Sequence, residues 1–348
     1  MSKLQPRSRG KPGPVARRTR CAGANRPRGA ALLAAMLTVT LVATFAAAAL
    51  WQQWRSIEVE TAERARVQAT WVLTGALDWA RLVLREDAKA GGADHLGEPW
   101  AVPLQEARLS SFLAADQSNT ADTGPDVFDA FLSGEMVDLQ SRLNVTNLLN
   151  NGKVSGPDLR SFARLFEQLD LPQAQLDQLA ENLRFASDMS PANGSSPMAP
   201  LLPQRVDQLV WLGLPASTVA VLQPFITILP SRTPVNLNTA SAEVIYASVD
   251  GLSMSDAQRM VTARERTPFR TVNDARQAVG ASQTAFAEGQ GNVGIATRFF
   301  EVHSRLRLDQ LVVEERAVVV RDGLDVRVLQ RERGAPDPAT LPTEPGTR

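Results

Sequence analysis

A run without a charged residue, AALLAAMLTVTLVATFAAAAL at residues 30–50, constrains this chain more than anything else in its sequence. As a helix rising 1.5 Å per residue it is about 31 Å long, close to the roughly 30 Å hydrocarbon core of a bilayer, so it can cross a membrane once. Upstream, Lys3, Arg7, Arg9, Lys11, Arg17, Arg18, Arg20, Arg26 and Arg28 are accompanied by no acid. The positive-inside rule keeps that end cytoplasmic and sends the body to the other side, which in a double-membrane bacterium is the periplasm. The formal net charge of zero therefore hides an acidic body, a poor partner for nucleic-acid phosphate. The sole cysteine, Cys21, lies in the basic segment, so neither an intramolecular disulfide nor a catalytic cysteine serves the body.

Three fates are open to such a segment. A secretory signal peptide has the same basic and apolar parts, and the small residues 46–49 offer a cleavage site. A plain signal anchor needs only the span itself. Against the first, residues 51–84 continue without a proline and with Gly75 alone as a glycine. Trp54, Ala62, Ala65, Ala69, Leu73, Ala76, Ala80 and Leu84 recur at mostly three or four, the period of a helix face. Span and soluble stem thus read as one helix, which a cut in the middle would destroy. The third fate rests on Arg28-Gly29-Ala30 at the cytoplasmic edge of the span. This tripeptide, followed by pure hydrophobic helix, resembles the site cut by prepilin peptidases, which remove the leader and leave the anchor. The resemblance implies Gly29 and Ala30 as the processing residues, with Ala30 an N-methylated new terminus. Most pilin-like subunits carry a glutamate five residues after the cut. Here that position is Ala34, which resembles one branch, minor pseudopilin K of the type II secretion system.

Further landmarks carry the same resemblance. WVLTGALDWARLVLREDA, residues 71–88, looks like the end of the long pseudopilin helix, and Gly91, Gly92, Gly97 and Pro99 break it. Residues 127–132 and 135–139 read as two short strands of a hairpin turning at Ser133-Gly134. Arg142-Leu143-Asn144-Val145-Thr146-Asn147-Leu148 is similar to the family signature GRFNLNNL, with Ser141 where glycine is usual. Residues 159–169 and 173–185 are predicted helices, with Pro172 at the first turn of the second. Residues 187–203 form a loop by composition. The resemblance raises calcium as a ligand, because related K proteins carry an acidic stretch there. This loop offers Asp188, and one carboxylate cannot supply the six to eight oxygens that calcium takes; the expectation is no cofactor and no metal.

In residues 233–275, Asn238 or Thr239 is positioned to cap a helix running to about Val249 and ended by Gly251. Ser253 with Asp256 starts a second helix, Thr267-Pro268 closes it, and Thr271 with Asp274 starts a third. This module, SAM-like or helix-hairpin-helix-like, resembles both the K family's region at residues 235–240 and DNA-binding hairpins. The latter approach phosphate through a Gly-hydrophobic-Gly turn, whereas Asp250-Gly251-Leu252-Ser253 lacks the second glycine and adds an acid. From Arg298 the period becomes two. Phe300, Val302, Leu306 and Leu308 share a face, residues 311–320 make a second strand, and Asp322-Gly323 turns into a third at 324–329. The tail from Gly334, with Pro336, Pro338, Pro342 and Pro345, is expected to be disordered.

No enzyme chemistry stands out. His95 lies near a glycine-rich break, and His303 reads as an exposed strand residue. No H-E-x-x-H, G-x-S-x-G, P-loop or Cys/His cluster occurs. Trp51 and Trp54 fall where indoles anchor at a membrane interface, and Trp71 and Trp79 are expected to pack on the sheet.

Across residues 27–331 these ordered landmarks resemble the minor pseudopilin K family. The implied fold class is α+β: a pseudopilin fold with a long N-terminal transmembrane helix, an antiparallel sheet and a large inserted helical domain. The expected divisions are a leader at 1–29, transmembrane helix at 30–50, periplasmic stem at 51–90, early strands at 91–140, inserted domain at 141–290, C-terminal strands at 297–331 and tail at 334–348. The implied function is structural, capping the tip of a short periplasmic pseudopilus in protein secretion. The implied partners are minor pseudopilins I and J, prepilin peptidase and the inner membrane, with no nucleic acid. Stem contacts are expected through alanine-rich faces at Ala65, Ala69 and Ala76. The alternative is a membrane-anchored periplasmic DNA-binding protein using the helical module. Intact-mass measurement of membrane-extracted chain is expected to give a mature form beginning at Ala30; a form beginning near Leu50, or one retaining the basic segment, refutes the processing.

Overall fold

The computed structural model describes residues 28–109, 130–188, 190, 200–280, 292–308 and 311–334. The expected leader up to residue 27, most of the 187–203 loop, residues 127–129 of the expected hairpin and the tail from residue 335 lie outside them. Helix α1, Arg28–Ala90, carries the apolar run and the stem without a break. The chain divides into two compact units, ending at Glu63 and beginning at Arg64. In the first, the helix is exposed along its apolar run and is long and apolar enough to cross a membrane once. Thr38, Thr40 and Thr44 donate their hydroxyl hydrogens to the carbonyls of Ala35, Leu37 and Leu41 at 2.9, 2.9 and 2.8 Å, which satisfies them where lipid offers no partner.

In the second unit the stem buries one stripe, Ala69, Leu73, Leu77, Ala80 and Leu84, each at most 4% exposed. Spacings of three and four keep these residues on one face. They rest on a five-stranded antiparallel sheet of β1 Leu104–Arg108, β2 Ala130–Asp138, β3 Phe299–Leu308, β4 Leu311–Asp322 and β5 Asp325–Gly334, in that spatial order. Alternation along β3 turns Phe300, Val302, Leu306 and Leu308 to the helix. Ala69 and Leu73 meet Leu306 and Leu308, while Leu77 and Leu84, further along, meet Phe300 and Val302. Trp100 closes that end edge-on to Phe300, with ring centroids 5.0 Å apart. The edge strand β5 is fastened to the stem by Arg331 and Arg333. These donate to the Thr74 and Thr70 hydroxyls, each at 2.8 Å, and hold the buried Glu315 carboxylate between them.

β2 and β3 are hydrogen-bonded neighbours, yet residues 139–298 come between them. That excursion has its own core. Helices α2 Gly156–Gln168, α3 Gln173–Ser187, α4 Ala216–Leu222, α5 Ala242–Ser248, α6 Met254–Arg266 and α7 Val272–Val279 pack round side chains such as Phe162, Phe166, Leu179, Leu212, Ile245 and Met260. α6 and α7 open on the expected capping boxes, Ser253 with Asp256 and Thr271 with Asp274. A small cluster of Leu139, Leu229, Phe299 and Val320 joins insertion to sheet. This lies at the end of the sheet where α1 finishes, since the neighbouring Arg321 reaches Asp87 at 2.5 Å.

Several expectations are corrected. Residues 130–138 form one strand, not a hairpin turning at Ser133-Gly134. Gly134 stands mid-strand opposite Ser304, and a Cβ there would come within 2.6 Å of the His303 carbonyl oxygen, so it marks the close approach of β3. Helix α5 is capped by Ser241, whose hydroxyl accepts the Val244 N–H, because Asn238 and Thr239 are engaged elsewhere. Trp71 is 73% exposed and turned from the sheet. Ala69 lies beneath the sheet, flanked by the half-buried Ala65 and Ala76, so these alanines form no free face. Gly134→Ala is expected to cost about 1–3 kcal/mol, because the added methyl forces two backbones apart. Urea unfolding of a soluble body spanning residues 58–332 reads this, and a wild-type midpoint would contradict the packing.

Candidate functional site, the joint between sheet and insertion

The segments that leave and re-enter the sheet meet at one carboxylate. Asp138, the last residue of β2, is 3% exposed. Its Oδ1 accepts the Gln140 amide at 2.6 Å and the Thr297 hydroxyl; its Oδ2 accepts the Thr239 hydroxyl at 2.6 Å and Asn236 Nδ2 at 3.0 Å. Gln140 widens the knot. Its Nε2 donates to the carbonyls of Pro234 and Ala296 at 3.1 and 3.3 Å, and its Oε1 accepts the Arg298 amide at 2.8 Å. The outgoing, middle and returning passes of the chain are thereby tied together. Burial pushes the Asp138 carboxyl up to about 6, against the pull of its four donors.

The asparagines flanking this knot act as substitutes for backbone. Asn144 accepts the Leu229 amide at 3.1 Å and donates to the Ser231 carbonyl at 2.8 Å. Asn147 pairs with both backbone groups of Thr233, at 2.7 and 3.0 Å, and Asn238 does the same with Phe269 at 2.9 Å each. A carboxamide has the donor and acceptor of a peptide group, so each asparagine extends a hydrogen-bond ladder where no strand continues. Of the two stretches singled out by resemblance, the one at 142–148 is thus bonded to residues 229–233 and the one at 235–240 to Asp138 and Phe269.

Beside it, ligand atoms of Asp87, Asp94 and Glu98 lie within 4.8 Å of one another. Arg321 occupies the place of a cation there, donating to Asp87 at 2.5 Å and also to Asp94. Glu98 accepts the His95 amide and Trp100 Nε1 at 2.9 and 2.7 Å. Burial pushes the Asp87 and Glu98 carboxyls above the usual range. Arg321 thus places a positive charge inside the set, and both Asp94 oxygens are engaged, Oδ1 by Arg321 and Oδ2 by the Thr297 amide at 2.6 Å. In the 187–203 loop, Asp188 accepts the Ser190 amide at 2.9 Å. Among the described residues no other carboxylate joins it in a group of three or more candidate ligands.

The remaining candidates are scattered. Gly29 and Ala30 are exposed in the first turn of α1, and a Cβ at Gly29 meets nothing within 4 Å. His95 Nδ1 accepts the Gly97 amide at 3.1 Å. His303 is half-buried, not exposed as expected, with Nε2 3.1 Å from Glu301. The turn between α5 and α6, where a DNA-binding hairpin would face phosphate, is held from behind. Arg164 of α2 donates to the Val249 and Leu252 carbonyls and lies 3.6 Å from Asp250.

A membrane-crossing helix continuing into a stem that lies on an antiparallel sheet defines the pseudopilin class. Two family models described as type II secretion system protein K match residues 141–231 and 235–297, covering the insertion and its joint. The chain belongs to this protein K family and is a minor pseudopilin of the type II secretion system. Type II secretion system protein K of Pseudomonas aeruginosa is 27% identical over 334 residues, 88% of this chain and 92% of that one. The protein K of Pectobacterium carotovorum subsp. carotovorum is 22% identical, over 89% and 97%. A chain in the crystal structure of the GspK-GspI-GspJ complex from enterotoxigenic Escherichia coli superposes with a TM-score of 0.61 at 17% identity, covering 79% of this chain and 99% of that one. None of these similarities supports the DNA-binding alternative.

Asp138→Asn is expected to cost about 2–3 kcal/mol at pH 7 by opposing an amide donor to the existing donors. Asn236 cannot turn over to relieve this without losing the Asn238 amide, which its Oδ1 accepts at 3.0 Å. The folded wild type binds its proton at about 6, above the ordinary 3.8, so its stability rises as pH falls between these values. The gap to the variant should widen by about 2 kcal/mol between pH 7 and pH 4.5. Urea unfolding at pH 7 and pH 4.5 measures this, and a constant gap would mean Asp138 stays ionised.

Proposed function

We propose that this minor pseudopilin caps the tip of the pseudopilus, with minor pseudopilins I and J as direct partners. The observation that carries the reading is where the bulk sits. Along the stem, Ala69 marks one end of the sheet contact and Asp87 the other, and the insertion is joined at the Asp87 end. In this reading residues 30–50 are the inner-membrane anchor with the N-terminus cytoplasmic, and the insertion adds its bulk at the Asp87 end of the sheet contact, where another subunit would otherwise follow. The structural match with a chain of the K-I-J complex supports the partners. In this reading the inserted domain begins at residue 141 and ends by residue 290. Prepilin peptidase cuts between Gly29 and Ala30, the role is structural rather than catalytic, and calcium is not required.

The stem face available to partners is opposite the buried stripe. Val67, Trp71 and Leu82 are 55, 73 and 42% exposed there, and the exposed Gly75 lies one turn beyond Trp71. A protruding indole beside a residue without a side chain makes a ridge and a notch for a second helix. Trp71→Glu is expected to weaken co-purification with I and J about tenfold or more, while moving the body's own unfolding by no more than about 0.5 kcal/mol. Ala69→Glu should instead unfold the body. Unchanged complex formation with Trp71→Glu, or labelled protein found along the whole pseudopilus shaft, would overturn the reading.

A further inference from the structure

Between the insertion and the sheet face turned away from α1 runs a groove of about 880 Å³. Its floor includes Val145, Leu149, Leu183 and Leu229, and its rim carries Leu202 and Leu329, which are 53 and 47% exposed. Leu329 is there because of a bulge. Val318 pairs with Gln330 and Val319 with Val328, which leaves Leu329 unopposed on β5, and an extra residue re-aims a side chain. Among the described residues β5 is also an outer strand, with no neighbour beyond it.

The charges lining the groove are unevenly satisfied. Arg205 reaches Glu332 at 2.7 Å and Asp207 at 3.2 Å. Arg316 and His303 reach Glu301 at 3.2 and 3.1 Å. Burial raises the Glu301 carboxyl, but His303, Arg316 and Arg142 more than offset this and hold it below the usual range. Every acid on the wall therefore has a cation in contact. Arg142 is the exception among the cations: it is half-buried, and among the described residues its guanidinium donates no hydrogen bond and forms no ion pair. The polar side chains that follow it, Asn144, Thr146 and Asn147, all serve the joint. Arg142 does not.

We infer that this groove receives an extended segment of a partner protein that presents a carboxylate side chain to Arg142 between apolar side chains seated against Leu202 and Leu329. The Arg142 guanidinium, which acts on Glu301 only through space and forms no direct pair among the described residues, supplies the charge complementarity, a planar fork suited to a carboxylate. The open edge of β5 suits a peptide that pairs through its backbone, with side chains alternating into the groove. The inference does not depend on where the subunit sits in the pseudopilus.

The test uses the full chain in lipid nanodiscs and three fluorescein-labelled, end-capped pentapeptides: Leu-Val-Glu-Val-Leu and its counterparts with a central Gln or Lys. Fluorescence anisotropy, corrected by empty nanodiscs, is expected to show saturable binding in the order Glu, Gln, Lys. The Glu peptide should lead by roughly tenfold, as a charge-assisted pair allows. Arg142→Met should erase the Glu-over-Gln preference, and Leu329→Asp should weaken all three. Equal affinity for the three peptides, absence of saturable binding, or a preference that survives in a folded Arg142→Met chain would overturn the inference. Should that variant fail to fold, the order of the three peptides on the wild-type chain decides alone.

Discussion

A buried carboxylate with four donors and no contacting cation is the constraint on which the rest of this molecule depends. Asp138 stands where the chain leaves the sheet, and its donors come from the next turn, from the middle of the insertion and from the segment that leads back to β3. Apolar contact alone would let two compact bodies slide over each other, since hydrophobic attraction has no direction. Hydrogen bonds to a desolvated anion do have direction, and losing one leaves charge exposed to a low-dielectric interior. The knot fixes the orientation of the insertion on the sheet; the apolar cluster of Leu139, Leu229, Phe299 and Val320 beside it supplies bulk attraction.

The same division of labour recurs along the stem. The alanine and leucine stripe supplies burial against β3 and β4. Direction comes from arginines: Arg331 and Arg333 hold β5 to the threonines of α1, and Arg321 holds the last turn of the helix to the loop after it. Each guanidinium serves carboxylates that are themselves buried, so these pairs specify geometry more than they add stability.

Much of the architecture could be read from the sequence because it is local. The 3.6-residue period of α1, the alternation of β3, the Asp322-Gly323 turn and the two capping boxes are each set within a few residues, and the structure has them where the pattern puts them. The misreadings share a cause. Gly134 looked like a turn because glycine usually signals one, but its reason lies in the His303 carbonyl on another strand. Trp71 looked like core because it is large, though its helical phase is opposite the stripe. Trp100 stands in a glycine- and proline-rich stretch with no periodicity to mark it, yet it fills the end of the sheet core. The joint was least legible. Asn144, Asn147, Asn236 and Asn238 were found by resemblance, but their partners lie far along the chain, and no periodicity links Asp138 to Thr239 or Thr297.

The position of the insertion also orders events in time. β2 and β3 are interior neighbours in the sheet, and closing them directly means joining the ends of a very long loop, an entropic cost that grows with the logarithm of its length. A folded insertion removes that cost. Its own core forms from helices close in sequence, and once it has formed, its two ends emerge side by side at Gln140 and Arg298, already hydrogen-bonded to each other. The two strands then meet as though joined by a tight turn. The late strands, which follow the insertion in the chain, thus have a template in the domain that precedes them.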